Sequence, residues 1–140
     1  NVKLADMGSG AGFPGLVLAM AGVAEVHLIE SDVRKATFLR EVSRETNTPV
    51  FIHDERVEDT KIPDLDIITA RALAPLRDLL IMANRLLTPG HAGVCLFMKG
   101  EKADEEILKA QKRWNFTLET HQSITDKSGK VLKINDLEVK

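Results

Sequence analysis

The run Asp6-Met7-Gly8-Ser9-Gly10-Ala11-Gly12-Phe13-Pro14-Gly15 constrains the fold more than any other stretch of this 140-residue chain. Its glycines permit a tight turn and let backbone amides come close to a ligand. The run follows a short apolar segment, Val2 to Met7, and leads into Phe13 to Ala21, a helix-like stretch whose first turn tolerates Pro14. A glycine loop between a strand and a helix is where such loops bind nucleotides.

The rest of the chain repeats that alternation. Glu25 to Glu30 reads as a second strand. Asp32 is an N-cap residue type, and Ala36, Phe38, Leu39, Val42 and Ser43 then fall at helical spacing, with the helix ending near Thr46 before Asn47 and Pro49. Val50 to His53 and Leu65 to Ala70 are two further strands, separated by a polar loop. Pro75 opens a long apolar helix that stops before Pro89-Gly90, Ala92 to Met98 is a fifth strand, and Glu101 to Arg113 is an amphipathic helix. Phe116 to Ile124 and Val131 to Val139 flank the turn-like Asp126-Lys127-Ser128-Gly129 with no helix between them, so they are expected to pair as an antiparallel hairpin. Strands joined through helices imply right-handed βαβ units. The expected architecture is a doubly wound, mostly parallel Rossmann-like α/β sheet with the hairpin at its C-terminal edge, in one domain over residues 1–140.

Two ligands compete for the glycine loop. Gly10 to Gly15 spells the dinucleotide fingerprint G-x-G-x-x-G. The glycine run starts earlier, however, with Asp6 just before Gly8, and Glu30 closes the second strand 18 residues beyond Gly12, placed to accept hydrogen bonds from both hydroxyls of a ribose. S-adenosylmethionine lacks a pyrophosphate but carries an ammonium, which Asp6 would serve directly or through a water; alternatively Asp6 only caps the loop. Together these residues favour an adenosine-containing cofactor, with S-adenosylmethionine ahead of NAD.

Composition removes several other classes. Hydrophobic residues make up 44% and charged residues 29%, which suits a globular domain rather than a disordered tail. The single cysteine, Cys95, cannot form an internal disulfide and sits in an apolar strand, where a core role is expected. The uncharged run Met7 to Ala24 holds five glycines and Pro14, so it makes a poor membrane helix, and no membrane association is expected. A reducing cytoplasm is the expected compartment. His27, His53, His91 and His121 lack metal-ligand spacing, and no metal is expected. With 19 Lys+Arg against 21 Asp+Glu, contact with nucleic acid requires a local basic patch. Arg34, Lys35, Arg40 and Arg44 cluster on one helix, but Glu41 and Glu45 interleave with them, which is the pattern of a solvated face.

The pattern from Asp6 to Gly15 resembles the signature of the glucose-inhibited division protein B family. Four more segments resemble that family in the same order: Glu30 to Arg40, Arg56-Val57-Glu58, Thr69-Ala70-Arg71-Ala72 and Phe97-Met98-Lys99-Gly100. Thr69-Ala70-Arg71 departs from the family's usual Ser-Arg. Family members also carry a helical segment before the glycine loop, whereas this chain opens at Asn1 almost directly on its first strand. A fragment or trimmed chain is therefore expected, with the absent segment bearing on RNA docking and not on cofactor binding.

The resemblance implies a class I methyltransferase fold that transfers a methyl group from S-adenosylmethionine to N7 of a guanine in small-subunit (16S) ribosomal RNA. It implies the ribosomal RNA or the ribosomal subunit as partner, and a monomer is expected. By the same resemblance Gly8 and Phe13 line the methionine and ribose side of the cofactor, Glu30 holds the ribose, Val57 and Glu58 flank the adenine, and Arg71 sits beside cofactor and target base. Asp6, Gly10 and Gly12 complete the cofactor loop. Arg71 and Lys99 are the expected substrate-positioning residues, engaging RNA phosphates or guanine O6, and no general base is expected because N7 has no proton to lose. The alternatives are an NAD-binding oxidoreductase domain, or a cofactor-binding module inactive without a further N-terminal segment. For Arg71 the competing expectation is a surface salt bridge with Asp66 or Asp78.

Overall fold

In the computed structural model, which describes residues 1–71, 73–124 and 127–140, every strand and helix read from the sequence is present. Ala72 of the Thr69-to-Ala72 segment and Asp126 of the C-terminal turn lie outside the described residues. The elements in order are β1 (Lys3–Met7), α1 (Gly15–Met20), β2 (Glu25–Ile29), α2 (Val33–Glu45), β3 (Phe51–His53), a single 3-10 turn (Val57–Asp59), β4 (Ile67–Arg71), α3 (Leu76–Leu86), β5 (Val94–Lys99), α4 (Ala103–Ala110), β6 (Trp114–Gln122) and β7 (Lys130–Val139). The differences from expectation are at the ends. The helix expected over Phe13 to Ala21 is only Gly15–Met20, and the one expected over Glu101 to Arg113 is Ala103–Ala110, because flanking turns take up the remaining residues.

One sheet of seven strands runs in the order β3-β2-β1-β4-β5-β7-β6. The first five are parallel, β7 lies antiparallel against β5, and β6 pairs antiparallel with β7 to form the outer edge. The order reverses between β1 and β4, which creates a crevice at the carboxyl ends of those strands. β3 has only three residues, and β6 carries a register shift between Asn115 and Thr117.

Alternation along the strands feeds two cores. Leu4, Val26 and Leu28 face one side and bury Leu16 of α1 and Leu39 of α2. Ala5, Met7, Ile29, Ile68 and Phe97 face the other, against Leu76, Leu79, Leu80 and Ala83 of α3 and Ile107 and Ala110 of α4. Each fully buried leucine contributes about 1.5–3 kcal/mol of transfer free energy. Asp32 caps α2 as expected, its carboxylate accepting the amides of Arg34 and Lys35. Phe38, by contrast, is 50% exposed on the outer side of that helix. Trp114 is buried next to Ile107 and Ala110, so it packs α4 against the hairpin. Among the described residues no helix is long and apolar enough to cross a membrane.

Candidate active site at the switch point

The glycine loop is built around a buried carboxylate. Asp6 has no exposed surface. One of its oxygens accepts the Ser9 hydroxyl at 2.9 Å and the Gly15 amide at 3.1 Å, and the other accepts the Thr69 hydroxyl at 2.8 Å. Burial raises its carboxyl above the ordinary range, against those three hydrogen bonds and the nearby Arg71, which lower it. Asp6 thus caps the loop from within, and none of the cavities around the loop is lined by it. Thr69 reaches this carboxylate from β4, whereas Ala70, the residue directly before Arg71, is buried and offers no hydroxyl. The first amides of α1 are also engaged internally: Leu16 and Val17 both donate to the Gly12 carbonyl.

Gly8 and Gly12 explain the spacing of the motif. Both have positive φ, 61° and 96°. Conformation favours glycine at both; a Cβ at Gly12 would also crowd Leu16 Cβ at 2.9 Å, whereas one at Gly8 would press only on the end of the Leu73 side chain, 2.6 Å from Cδ1. Gly10 donates its amide to Glu30 Oε1 at 2.7 Å, while Asp32 donates to Glu30 Oε2 at 2.9 Å. Glu30 is therefore fixed by main chain on both oxygens. Each oxygen keeps a second lone pair for a further donor.

These residues line one continuous cleft. A cavity of about 490 Å³ is bordered by Gly8, Gly10, Phe13, Glu30, Lys35 and Arg71. A smaller one of about 130 Å³, bordered by Ile29, Val57, Glu58 and Met82, adjoins it through the shared Gly8, Ser31 and Leu73. Phe13 is 51% exposed, with the Arg71 guanidinium 5.7 Å from its ring centroid. Asp66 pairs with His91 and Asp78 with Arg77, so Arg71 is directed to the cleft rather than into either expected salt bridge. Arg71 also borders a third cavity of about 290 Å³ with Met98, Lys99, Gly100, Lys130 and Val131.

Lys99 borders that third cavity beside Arg71, but its ammonium is held by protein partners. Its side chain is 6% exposed, and its ammonium donates to the Ala74 carbonyl at 2.6 Å and pairs with Glu106 at 2.9 Å. The charge is therefore engaged inside the protein by a carbonyl and a carboxylate. Of the basic residues on α2, Arg44 pairs with Glu41 and Arg40 with Asp54, as a solvated face would.

Leu73 and Glu106 are the residues that sequence reasoning missed. Leu73 lies in a loop without periodicity, and Glu106 reaches Lys99 from another element; neither leaves a local signal. The pairing of His27 Nδ1 with His53 Nε2 at 2.8 Å across β2 and β3 was missed for the same reason. Burial pushes the Cys95 thiol up to about 12, which keeps it protonated in the core. Among the described residues no group of three or more His, Cys, Asp or Glu side chains is arranged to hold a metal ion.

Comparison with known proteins gives a family and a fold. The model of the GidB family, described as rRNA small subunit methyltransferase G, matches residues 1–135. The protein of that name from Rhodospirillum centenum is 52% identical over 134 residues, covering 96% of this chain and 61% of its own length. Its counterpart from Paramagnetospirillum magneticum is 50% identical over 135 residues, covering 96% of this chain and 65% of its own. The chain thus spans less than two thirds of the length of these relatives. Among solved structures, ribosomal protein L11 methylase from Lactobacillus delbrueckii subsp. bulgaricus superposes with a TM-score of 0.75 at 18% identity, over 95% of this chain and 69% of that one. Magnesium protoporphyrin IX methyltransferase from Synechocystis PCC 6803, solved with bound SAM, superposes at 0.70 and 13% identity, over 96% and 70%. The fold is that of the Rossmann-like methyltransferases, and with a family match running from residue 1 to residue 135, the chain belongs to the GidB family.

Proposed function

We propose that this chain is the catalytic domain, over residues 1–140, of an S-adenosylmethionine-dependent methyltransferase that modifies guanine N7 in small-subunit ribosomal RNA. The observation that carries the reading is Glu30, locked by two backbone amides at the middle of a cleft that fits a nucleoside with an amino-acid tail. The apolar wall of Ile29, Val57 and Met82 suits an adenine, with Glu58 at its edge. Gly8, Gly10 and Phe13 border the part left for the tail. A dinucleotide is disfavoured, since its diphosphate needs free amides at a helix N-terminus. Here those of Gly15, Leu16 and Val17 are engaged and the buried Asp6 carboxylate lies beside them. The methyltransferases named above and the family support methyl transfer over NAD chemistry.

When bound, the cofactor supplies an electrophilic methyl group. Guanine N7 offers an in-plane lone pair without a proton, so the chain needs no general base. Its residues act by alignment, which is worth on the order of 7–11 kcal/mol for well-oriented reactants. Arg71 borders both the cofactor cleft and the 290 Å³ cavity, at the junction where donor and acceptor meet, and holds the RNA there through phosphate or guanine O6. Asp6 and Gly12 act on loop shape, and Lys99 acts from behind the cleft. The ribosomal RNA or subunit as substrate, a cytoplasmic setting and a monomeric chain belong to the same proposal.

Calorimetry with S-adenosylhomocysteine and, separately, NAD tests the reading. A dissociation constant of roughly 1–100 μM for the first alone is expected, weakened about tenfold or more by Glu30→Ala. Methylation of small ribosomal subunits is then expected to fall with Arg71→Ala. Binding of NAD in place of the homocysteine ligand overturns the cofactor, and unchanged turnover by Arg71→Ala removes that residue's role.

A further inference from the structure

Behind the cleft, three elements converge on one ion pair. Lys99 closes β5, Glu106 lies in α4, and both reach the segment that joins β4 to α3. The Lys99 ammonium donates to the Ala74 carbonyl at 2.6 Å and to Glu106 Oε1 at 2.9 Å. The same Oε1 accepts the amide of Leu76, the first residue of α3, at 2.7 Å. α3 has no side-chain cap of its own, since Pro75 precedes it. Glu106 therefore satisfies an otherwise open helix amide from another element and places negative charge at the positive end of α3.

The strapped segment carries Leu73, whose Cδ1 lies 2.6 Å from where a Gly8 side chain would begin and which borders both compartments of the cleft. We infer that Lys99 and Glu106 form a strap that positions residues 73–76, and through Leu73 sets the cofactor affinity of the cleft, without either residue lining the cofactor cleft itself. The inference rests on the cleft being the cofactor site proposed above. Physically, Lys99 holds the carbonyl before the helix and Glu106 holds the first amide within it, so the segment is gripped from both sides of Pro75. Loss of either partner leaves the other as an uncompensated, largely buried charge.

The test combines amide hydrogen exchange of the ligand-free chain with calorimetry against S-adenosylhomocysteine, each variant being measured well below its melting temperature. Lys99→Met and Glu106→Ala are each expected to speed exchange of the Leu76 amide and to raise the dissociation constant about tenfold. The double variant is expected to bind no more weakly than either single variant, rather than by the product of the two losses, because the two residues act as a unit. Leu73→Ala keeps the strap, so it is expected to weaken the ligand with Leu76 exchange unchanged; it also serves if a strap variant does not fold. Weakening by Lys99→Met but not by Glu106→Ala would mean that Lys99 touches the ligand directly, and it overturns the strap. So does faster Leu76 exchange with unchanged affinity, the signature of a purely structural pair. Failure of the wild-type chain to bind the homocysteine ligand defeats the cofactor reading instead, while the exchange measurement still decides whether the pair grips residues 73–76.

Discussion

Asp6 and Asp66 sit at opposite rims of the same sheet, and each accepts one backbone amide and at least one side chain. At the carboxyl rim, Asp6 is fully buried and takes Gly15, Ser9 and Thr69. At the amino rim, Asp66 stands at the surface and takes the Lys3 amide at 2.9 Å and His91 Nε2 at 2.9 Å. Similar partners produce opposite proton affinities. Burial raises the carboxyl of Asp6, whereas the Lys3 amide and His91 lower that of Asp66 against a smaller opposing desolvation. The contrast separates two uses of an acidic residue: one organises a loop at a cost in solvation, the other ties a strand end where water already solvates it.

The sharpest way to break the carboxyl rim is to crowd it. A Cβ at Gly15 would lie 2.5 Å from Leu28 Cδ2 and 2.7 Å from Asp6 Cβ. Gly15→Ala is expected to cost about 1–3 kcal/mol in urea denaturation and to abolish binding of S-adenosylhomocysteine, because the loop cannot close over its carboxylate. Full stability with intact binding would mean that Asp6 does not hold the loop.

A subtler pair of variants separates the rims by pH. For Asp6, with its folded value above 3.8, the native state binds the proton more tightly, so its contribution is full below 3.8 and is lost as pH rises through the folded value. For Asp66, with its folded value below 3.8, the contribution is full above 3.8 and is lost as pH falls through the folded value. Stability measured across this range is expected to lose its decline on the rising side in Asp6→Asn, and its acid loss in Asp66→Asn. The same slope in both variants would erase the distinction. The smallest effect is expected from His91→Ala, which removes one exposed partner and leaves affinity for S-adenosylhomocysteine unchanged within about twofold.

Much of the fold was legible because it is written locally. The glycine spacing, the Asp32 cap, the apolar strands and the lack of a helix between the last two strands each leave a signal within a few residues, and all appear in place. Glu30 was legible by its distance from the loop, and the Gly10 amide accounts for its place. The capping contacts of Asp6 were only one of two readings, since they arise where Ser9, Gly15 and Thr69 converge, and Thr69 is 63 residues away. The partners of Lys99 were hidden for the same cause. A lysine at a strand end looks solvent-facing until Glu106 and Ala74 are brought beside it by separate crossovers. Phe38 fits the helical repeat but lies on its outer side, which periodicity alone does not resolve without knowing where the sheet is.

The margins of the sheet have their own consequence for life in a crowded solution. At one margin β3 offers three residues of backbone; at the other β6 is kinked by its register shift and displays Glu119 and His121. A strand from another molecule would find too short a template on one side, and on the other a bent, polar one that resists lengthening into a continuous ribbon. The sheet can therefore keep its open architecture, with its cleft accessible, without inviting growth from its sides.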